Sequence, residues 1–446
     1  MKTRSLFATL LTLVSFTPCY AQTLDKAKLD QFFDRLAEKN KAMGSLTIAK
    51  EGKVLYTRAI GYSQIDGTEK KPLTAATRYR IGSITKMFTA VMILQLVEDG
   101  KLKLTDTLDR FFPQIPNAKN ITIVQILSHR SGIPNVRRDR DSQRNVHTTP
   151  IAKDEMLALI VKGMPDFEPD TKHSYSNSGY YLLGLIIEKV TGKPYGEALK
   201  ERIISKIGLK DTYTATGNID VKKNEALTYI HHGGGEWKQS PETHPSILFS
   251  AGAIVSTPND LAKFIQALFD LKLISQKSLN QMKTIRDGDG LGMEPCTFAG
   301  KTFYGHAGGA DNYGAWLAYL PEEKLTVAYT TNAKVYPVEN IVSGVIDIYY
   351  KKPFQIPAFK MISVSPEVLD KYVGVYSSPD VPAKFTITRK GTTLFVQPGA
   401  QSAAPLEATA QDTFEISVGV VFQFVAAKNQ MILKRGGRER VFTKDK

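Results

Sequence analysis

From Met87 to Val97 the sequence is apolar at every position except Thr89 and Gln95. A helix without a polar face has to be covered on all sides, so this stretch reads as a buried helix ending near Asp99-Gly100. Immediately before it stand Ser83-Ile84-Thr85-Lys86. A serine and a lysine three residues apart on a helix share one face, a turn from each other. If that face is buried, the Lys86 ammonium loses water and its pKa falls toward the range where it can take up a proton. Ser83 then sits at a helix N-terminus, where free backbone N–H groups can hold developing negative charge. The pair has the form of an activated nucleophile with part of its oxyanion site built in. The same spacing also fits an N-cap serine followed by a surface lysine, so the choice depends on what lies elsewhere.

The 446 residues exceed one ordinary domain and can bury a large core. Residues 1–21 stand apart as a signal peptide: Lys2 and Arg4, an apolar run from Leu6 to Phe16, then small residues before Gln22. The run is too short to span a membrane. Export to a periplasmic or secreted location is the expectation, with cleavage near Ala21. Cleavage removes Cys19 and leaves Cys296 as the remaining cysteine, so no intrachain disulfide is expected. Nothing around Cys296 suggests activation, and it reads as a packed or loop thiol.

Leu24 to Asn40 has helical periodicity with Leu29, Phe32, Phe33 and Leu36 on one face. Two strands follow, 45–50 and 54–62, joined at Glu51-Gly52-Lys53. A helical, loop-rich section comes next, with helices near 123–127, 153–162, 178–191 and 258–269. Strand character returns at 302–306, 313–320 and 325–331, and a helix over 338–350 closes this part. The two ends can meet as one antiparallel sheet, with the terminal helices on one face and the insert on the other. The fold class is α+β, over residues 22–352. Residues 353–366 read as a linker, and 367–446 as a small all-β domain with strands near 384–389, 392–397, 414–417, 420–425 and 431–433.

Three short segments carry the chemistry. Tyr175-Ser176-Asn177 precedes the apolar helix at Tyr180–Val190. A tyrosine beside a nucleophile can relay protons, and an asparagine two residues on can orient a lysine and donate to a carbonyl. His306-Ala307-Gly308-Gly309 lies at the end of an expected strand, where glycines let a substrate backbone approach the edge. Read alone, each also fits a helix cap or an ordinary turn.

In this order, Ser83/Lys86, Tyr175/Asn177 and His306/Gly308 resemble the three signatures of the serine β-lactamase-like hydrolases. These are the class C β-lactamases, DD-carboxypeptidases, D-aminopeptidases and related esterases. The surrounding Leu127-Ser128-His129-Arg130-Ser131-Gly132 and Ser250-Ala251-Gly252 are similar as well. The tail resembles the lipocalin-like barrel that some members append. The resemblance implies that Ser83 forms an acyl-enzyme, while Lys86 and Tyr175 share the proton transfers. It further implies that Asn177 positions Lys86 and substrate, and that the N–H groups of Ser83 and Gly309 hold the oxyanion. His306 and Gly308 then line the substrate edge. Neither cofactor nor metal is implied.

Many relatives carry lysine and a hydroxyl residue where this chain has His306 and Ala307. A mostly neutral histidine and an alanine remove one charge and one donor from the place that would hold a penicillin or D-Ala-D-Ala carboxylate. The expected activity is therefore on small-molecule or peptide esters, amides or peptide bonds, with poor β-lactam turnover unless an arginine of the 137–144 loop replaces the charge. The alternative is a non-catalytic envelope-binding or penicillin-binding sensor on the same scaffold, which would have no need of all four residues Ser83, Lys86, Tyr175 and Asn177. A metal hydrolase using His231, His232, His244 and His306 is disfavoured, since no helical ligand spacing occurs. The formal charge of +14 clusters at 137–140 and 434–446 without interleaved aromatics. Those clusters suit solvated faces, or loose attraction to anionic envelope polymers, rather than nucleic acid.

Overall fold

The computed structural model describes residues 24–136, 148–231, 236–401, 403–416, 420–435 and 438–445. The expected leader at 1–21, the arginine-bearing loop at 137–144 and His232 lie outside the described residues. Helix α1 (Lys26–Glu38) starts at Asp25, whose carboxylate accepts the Lys28 N–H at 3.0 Å. It buries Leu29, Phe32, Phe33 and Leu36, the face its spacing predicts. Strands β1 (Met43–Lys50) and β2 (Lys53–Ile60) form a hairpin. Its turn residues Glu51 and Gly52 have φ of 51° and 76°, the left-handed pair whose twist matches the flanking strands.

Helix α2 (Thr85–Glu98) is buried at every residue from Thr85 to Leu96, as a helix without a polar face must be. Helices α3 (Asn177–Thr191), α4 (Pro245–Gly252) and α5 (Pro258–Phe269) pack around it. The Phe88 and Phe264 rings stack 3.7 Å apart between α2 and α5. Strands β3 (Glu294–Phe298), β4 (Lys301–Ala310), β5 (Tyr313–Leu320) and β6 (Leu325–Ala333) then complete the sheet, followed by α6 (Val338–Tyr349).

The sheet is antiparallel, in spatial order β3-β4-β5-β6-β1-β2. The junction of β6 with β1 joins the two ends of the domain, with Leu46 opposite Tyr329 and Ile48 opposite Val327. All of β6 is buried because both of its faces are covered. α1 and α6 share one core with Leu46, Ile48 and Val327, while Leu317, Ala315 and Ala328 join the core built around α2.

Two differences from the sequence expectation bear on the site. β4 runs four residues beyond His306, so Gly308 and Gly309 are strand residues rather than a turn. They remain in the ladder because another backbone presses on them, as described below. β3 was not expected, since Pro295 and Cys296 interrupt a strand pattern; proline is tolerated there because β3 is an edge strand.

Beyond an irregular stretch, a short helix at Pro366–Asp370 leads into eight antiparallel strands from Gly374 to Lys444. They close as a barrel, with Tyr376 of the first strand opposite Lys444 of the last. Tyr372, Phe385, Phe414, Phe424, Met431 and Phe442 fill the interior. Strands at Gly374–Ser378, Ala404–Ala410 and Arg438–Lys444 escape sequence reading. Small residues dilute the alternation in the second, and the third buries Phe442 alone.

The barrel is tied to the larger domain at one buried ion pair. Lys41 and Glu407 are hydrogen-bonded, with their side chains only 7% and 14% exposed. Phe359 lies beneath the Lys41 ammonium, 5.6 Å from ring centre to Nζ, and the Ile362 N–H donates to Ala408 O at 3.0 Å. Removing one partner strands a buried charge, which costs about 3 kcal/mol or more. Glu407→Ala is expected to lose that much in urea unfolding, whereas the double replacement Lys41→Met/Glu407→Leu should stay within about 1 kcal/mol of the parent.

Candidate active site

Ser83 lies in a single 3-10 turn, Gly82–Ile84, between a short strand at Tyr79–Arg80 and α2. The Ile81 N–H donates to Ile254 O at 3.0 Å and anchors the entry to this turn. Gly82 adopts φ +53°, and a Cβ there would stand 2.5 Å from Gly309 N. A Cβ on Gly308 would stand 2.1 Å from Ile81 O. The two backbones therefore meet with no room for a side chain on either, which brings the Gly309 N–H against the Ser83 turn.

Lys86, one turn into α2, is fully buried. Its Nζ lies 2.8 Å from Ala251 O, 2.8 Å from Asn177 Oδ1 and 3.1 Å from Ser83 Oγ. The first two partners can only accept, whereas a hydroxyl can also donate. An amine form of Lys86 can donate to Ala251 and Asn177 and accept the proton of the Ser83 hydroxyl.

Each partner is held by its own element. Asn177 opens α3, where Ser176 is the N-cap and its Oγ accepts the Gly179 N–H at 3.2 Å. Ala251 lies in α4 just beyond Phe249, whose backbone (φ 39°, ψ −131°) breaks the helix. Ser250 Oγ donates to Tyr180 O at 2.8 Å and pins that bend to α3. The Tyr175 ring centre is 4.8 Å from Lys86 Nζ, and its face lies against His129, 4.3 Å between ring centres.

His129 is a residue that sequence reading quoted without a role. It is buried at φ +57°, and its Nδ1 accepts the Ser176 N–H at 3.1 Å while its carbonyl accepts from Ser174. Burial first, then the Lys86 charge and the neighbouring histidines, hold its pKa well below 6.5. It is a neutral clamp on the Tyr175 loop. Only its left-handed backbone and its place in a quoted motif mark it, and neither specifies a contact.

His306 sits mid-strand, 4% exposed. Its Nδ1 is 2.5 Å from Ala307 O, and its Nε2 is 3.4 Å from Glu294 Oε1. Burial, followed by the Lys86 charge, pushes its pKa down to about 4, so it supplies no fixed charge at neutral pH. Glu294 is raised, chiefly by burial, against an Ala307 N–H bond and the Lys86 charge that lower it. Asp289 is raised by burial and by Glu294, although His173 Nε2 bonds it at 2.6 Å. Neither carboxyl was singled out from sequence: Glu294 opens β3, which was not expected, and Asp289 lies in the loop before it.

Two further histidines among the described residues lie in other settings. His231 lies against Trp237, with ring centres 4.8 Å apart, and His244 caps α4. Cys296 is a half-buried thiol on β3, with its pKa pushed up to about 12 by burial.

A family model described as Beta-lactamase matches residues 29–343. Among curated proteins, Penicillin-binding protein 4* of Bacillus subtilis is 27% identical over 442 residues, spanning 92% of this chain and 97% of that protein. A solved octameric penicillin-binding protein homologue from Pyrococcus abyssi superposes with TM-score 0.66 at 26% identity, covering 94% of this chain and all of that one. D-amino acid amidase from Ochrobactrum anthropi, solved with L-phenylalanine amide, matches with TM-score 0.62 at 28% identity over 73% of this chain and 98% of its own.

Two outcomes follow from the geometry. Gly308→Ala should drive the strand off the Ser83 turn and slow phosphonylation of Ser83 by a fluorophosphonate at least about tenfold, as a Cβ against backbone requires a shift. The second concerns pH. Unfolded His306 takes up its proton near 6.5 and the folded group only near about 4. Acidification through that window therefore favours unfolding, and the contribution, complete above about 6.5, is lost below about 4. His129 acts in the same direction, and the raised carboxyls of Glu294 and Asp289 oppose it. His306→Asn should flatten the fall in melting temperature between about pH 7 and about pH 5.

Proposed function

The chain belongs to the beta-lactamase family, and from that premise we propose that it is a serine hydrolase working through a Ser83 acyl-enzyme on ester, amide or peptide bonds, with little β-lactam turnover. The observation that carries this reading is the bonding of Lys86. Its Nζ bonds two acceptor-only oxygens, Ala251 O and Asn177 Oδ1, and stands 3.1 Å from the Ser83 hydroxyl, within reach of its proton.

In this mechanism Ser83 Oγ attacks the carbonyl carbon while its proton passes to Lys86, with Tyr175, whose ring lies beside the amine, as the second proton-transfer group. The N–H groups of Ser83 and Gly309 stabilise the negative charge that develops on the carbonyl oxygen. The proton then goes to the leaving group, and water, activated by the same groups, releases the acyl chain. Asn177 holds Lys86 in register and can donate its amide to the substrate.

The substrate preference rests on the strand edge. A β-lactam or D-Ala-D-Ala substrate brings a carboxylate, and a neutral, buried His306 beside Glu294 offers it no cation. Ala307 supplies no hydroxyl. The similarity to a D-amino acid amidase supports amides as one class, and that to penicillin-binding proteins supports peptides. Export, with removal of residues 1–21, belongs to the same proposal.

Mass spectrometry after fluorophosphonate labelling should find the adduct on Ser83. Ser83→Ala should lower p-nitrophenyl acetate turnover by about a thousandfold or more, and chromogenic cephalosporin turnover should remain far below that of a dedicated β-lactamase. An unlabelled Ser83 with no esterase activity would leave a binding protein in its place. A brisk cephalosporin rate would overturn the substrate preference.

A further inference from the structure

Resting on the serine-hydrolase reading, we propose that Glu294 and His306 form a subsite for a protonated amino group, so that the enzyme selects substrates with a free amine near the scissile carbonyl. The argument starts from the tautomer of His306. Ala307 O can only accept, so Nδ1, at 2.5 Å, carries the ring proton. Nε2 is then a bare lone pair, and it faces Glu294 Oε1 at 3.4 Å. Two acceptors confront each other, and neither supplies the other with a hydrogen.

The His306 side chain is 4% exposed and Glu294 33% exposed, so the carboxylate is the accessible member of the pair. The Ala307 N–H bonds that carboxylate and fixes its position at the end of β3. Glu294 in turn raises a second carboxyl, Asp289, which is bonded to His173 at 2.6 Å. Lys86 is the cation acting on both members of the pair.

A primary ammonium is the complement. It is compact, charged, and brings three donors, enough to bond the Glu294 carboxylate and the His306 lone pair together. A substrate carboxylate placed there would meet a like charge and no donor. Where the resembling enzymes hold lysine and a hydroxyl, both donors, this chain sets the His306 lone pair beside the Glu294 carboxylate.

The test compares kcat/KM for D- and L-phenylalanine amide with that for their N-acetyl derivatives, in the full chain and in Glu294→Gln and Glu294→Asp. The parent should prefer the free amine by about thirtyfold, mostly through KM, the worth of a charge-assisted hydrogen bond. Glu294→Gln should reduce the ratio to within about threefold of unity, and Glu294→Asp should restore part of it. A preference that survives in Glu294→Gln would make the pair purely structural and overturn the subsite. Independently of any variant, phenylalaninol should inhibit parental p-nitrophenyl acetate hydrolysis at least about tenfold more tightly than N-acetylphenylalaninol. Equal inhibition, in a protein whose esterase activity depends on Ser83, would overturn the subsite and leave the hydrolase reading standing. Loss of that Ser83 dependence would overturn the hydrolase reading itself.

Discussion

An amine with no access to water has to be bonded by the protein, and the partners of Lys86 organise the whole insert. The lysine comes from α2, its acceptors from α3 and α4, and its third neighbour from the turn that presses on the sheet. Moving any of these elements leaves a buried polar group short of a bond, which costs more than the bond itself is worth. The bend at Phe249 belongs to this arrangement. A bulky residue at φ 39° is strained, by about 1–3 kcal/mol, and the strain persists where the surroundings over-determine it. Here the bend turns the Ala251 carbonyl out of its helix and onto Lys86.

Burial also sets the electrostatics around this amine. His129 and His306 are both kept neutral by loss of water and by the Lys86 charge, while the nearby carboxyls are raised for the same desolvation reason. The two imidazoles beside Lys86 are thus uncharged, and loss of water strengthens the interactions that Lys86 makes.

Much of this was legible in the sequence, for identifiable reasons. The helices at 123–127, 153–162 and 258–269 and the hairpin at Glu51-Gly52 carry local signals, namely periodicity, caps and glycine. The meeting of β1 with β6 followed from the order of elements, since strands at both ends need partners. Ser83, Lys86 and Asn177 are brought together as their motifs suggested, because each motif lies at a helix start where position is tightly fixed. What stayed hidden depends on contacts distant in sequence. Glu294 needed β3, which proline disguises; Ala251 contributes a carbonyl, which no residue type announces; and His129 needed a backbone conformation that only the fold reveals. The barrel's last strand was hidden because a lone inward phenylalanine gives no alternation to read.

The contact between the Ser83 turn and β4 divides the substrate edge into two kinds of position. At Gly82 and Gly308 the backbones touch, and no side chain of any kind fits. At His306 and Ala307, on the same strand, the side chains are free of that constraint. The polarising N–H is therefore set by main chain alone, while the preference for one end group over another resides in neighbouring side chains. Reactivity and selectivity are separately adjustable along four residues of one strand, so that a new substrate profile can be written at two positions without disturbing the nucleophile.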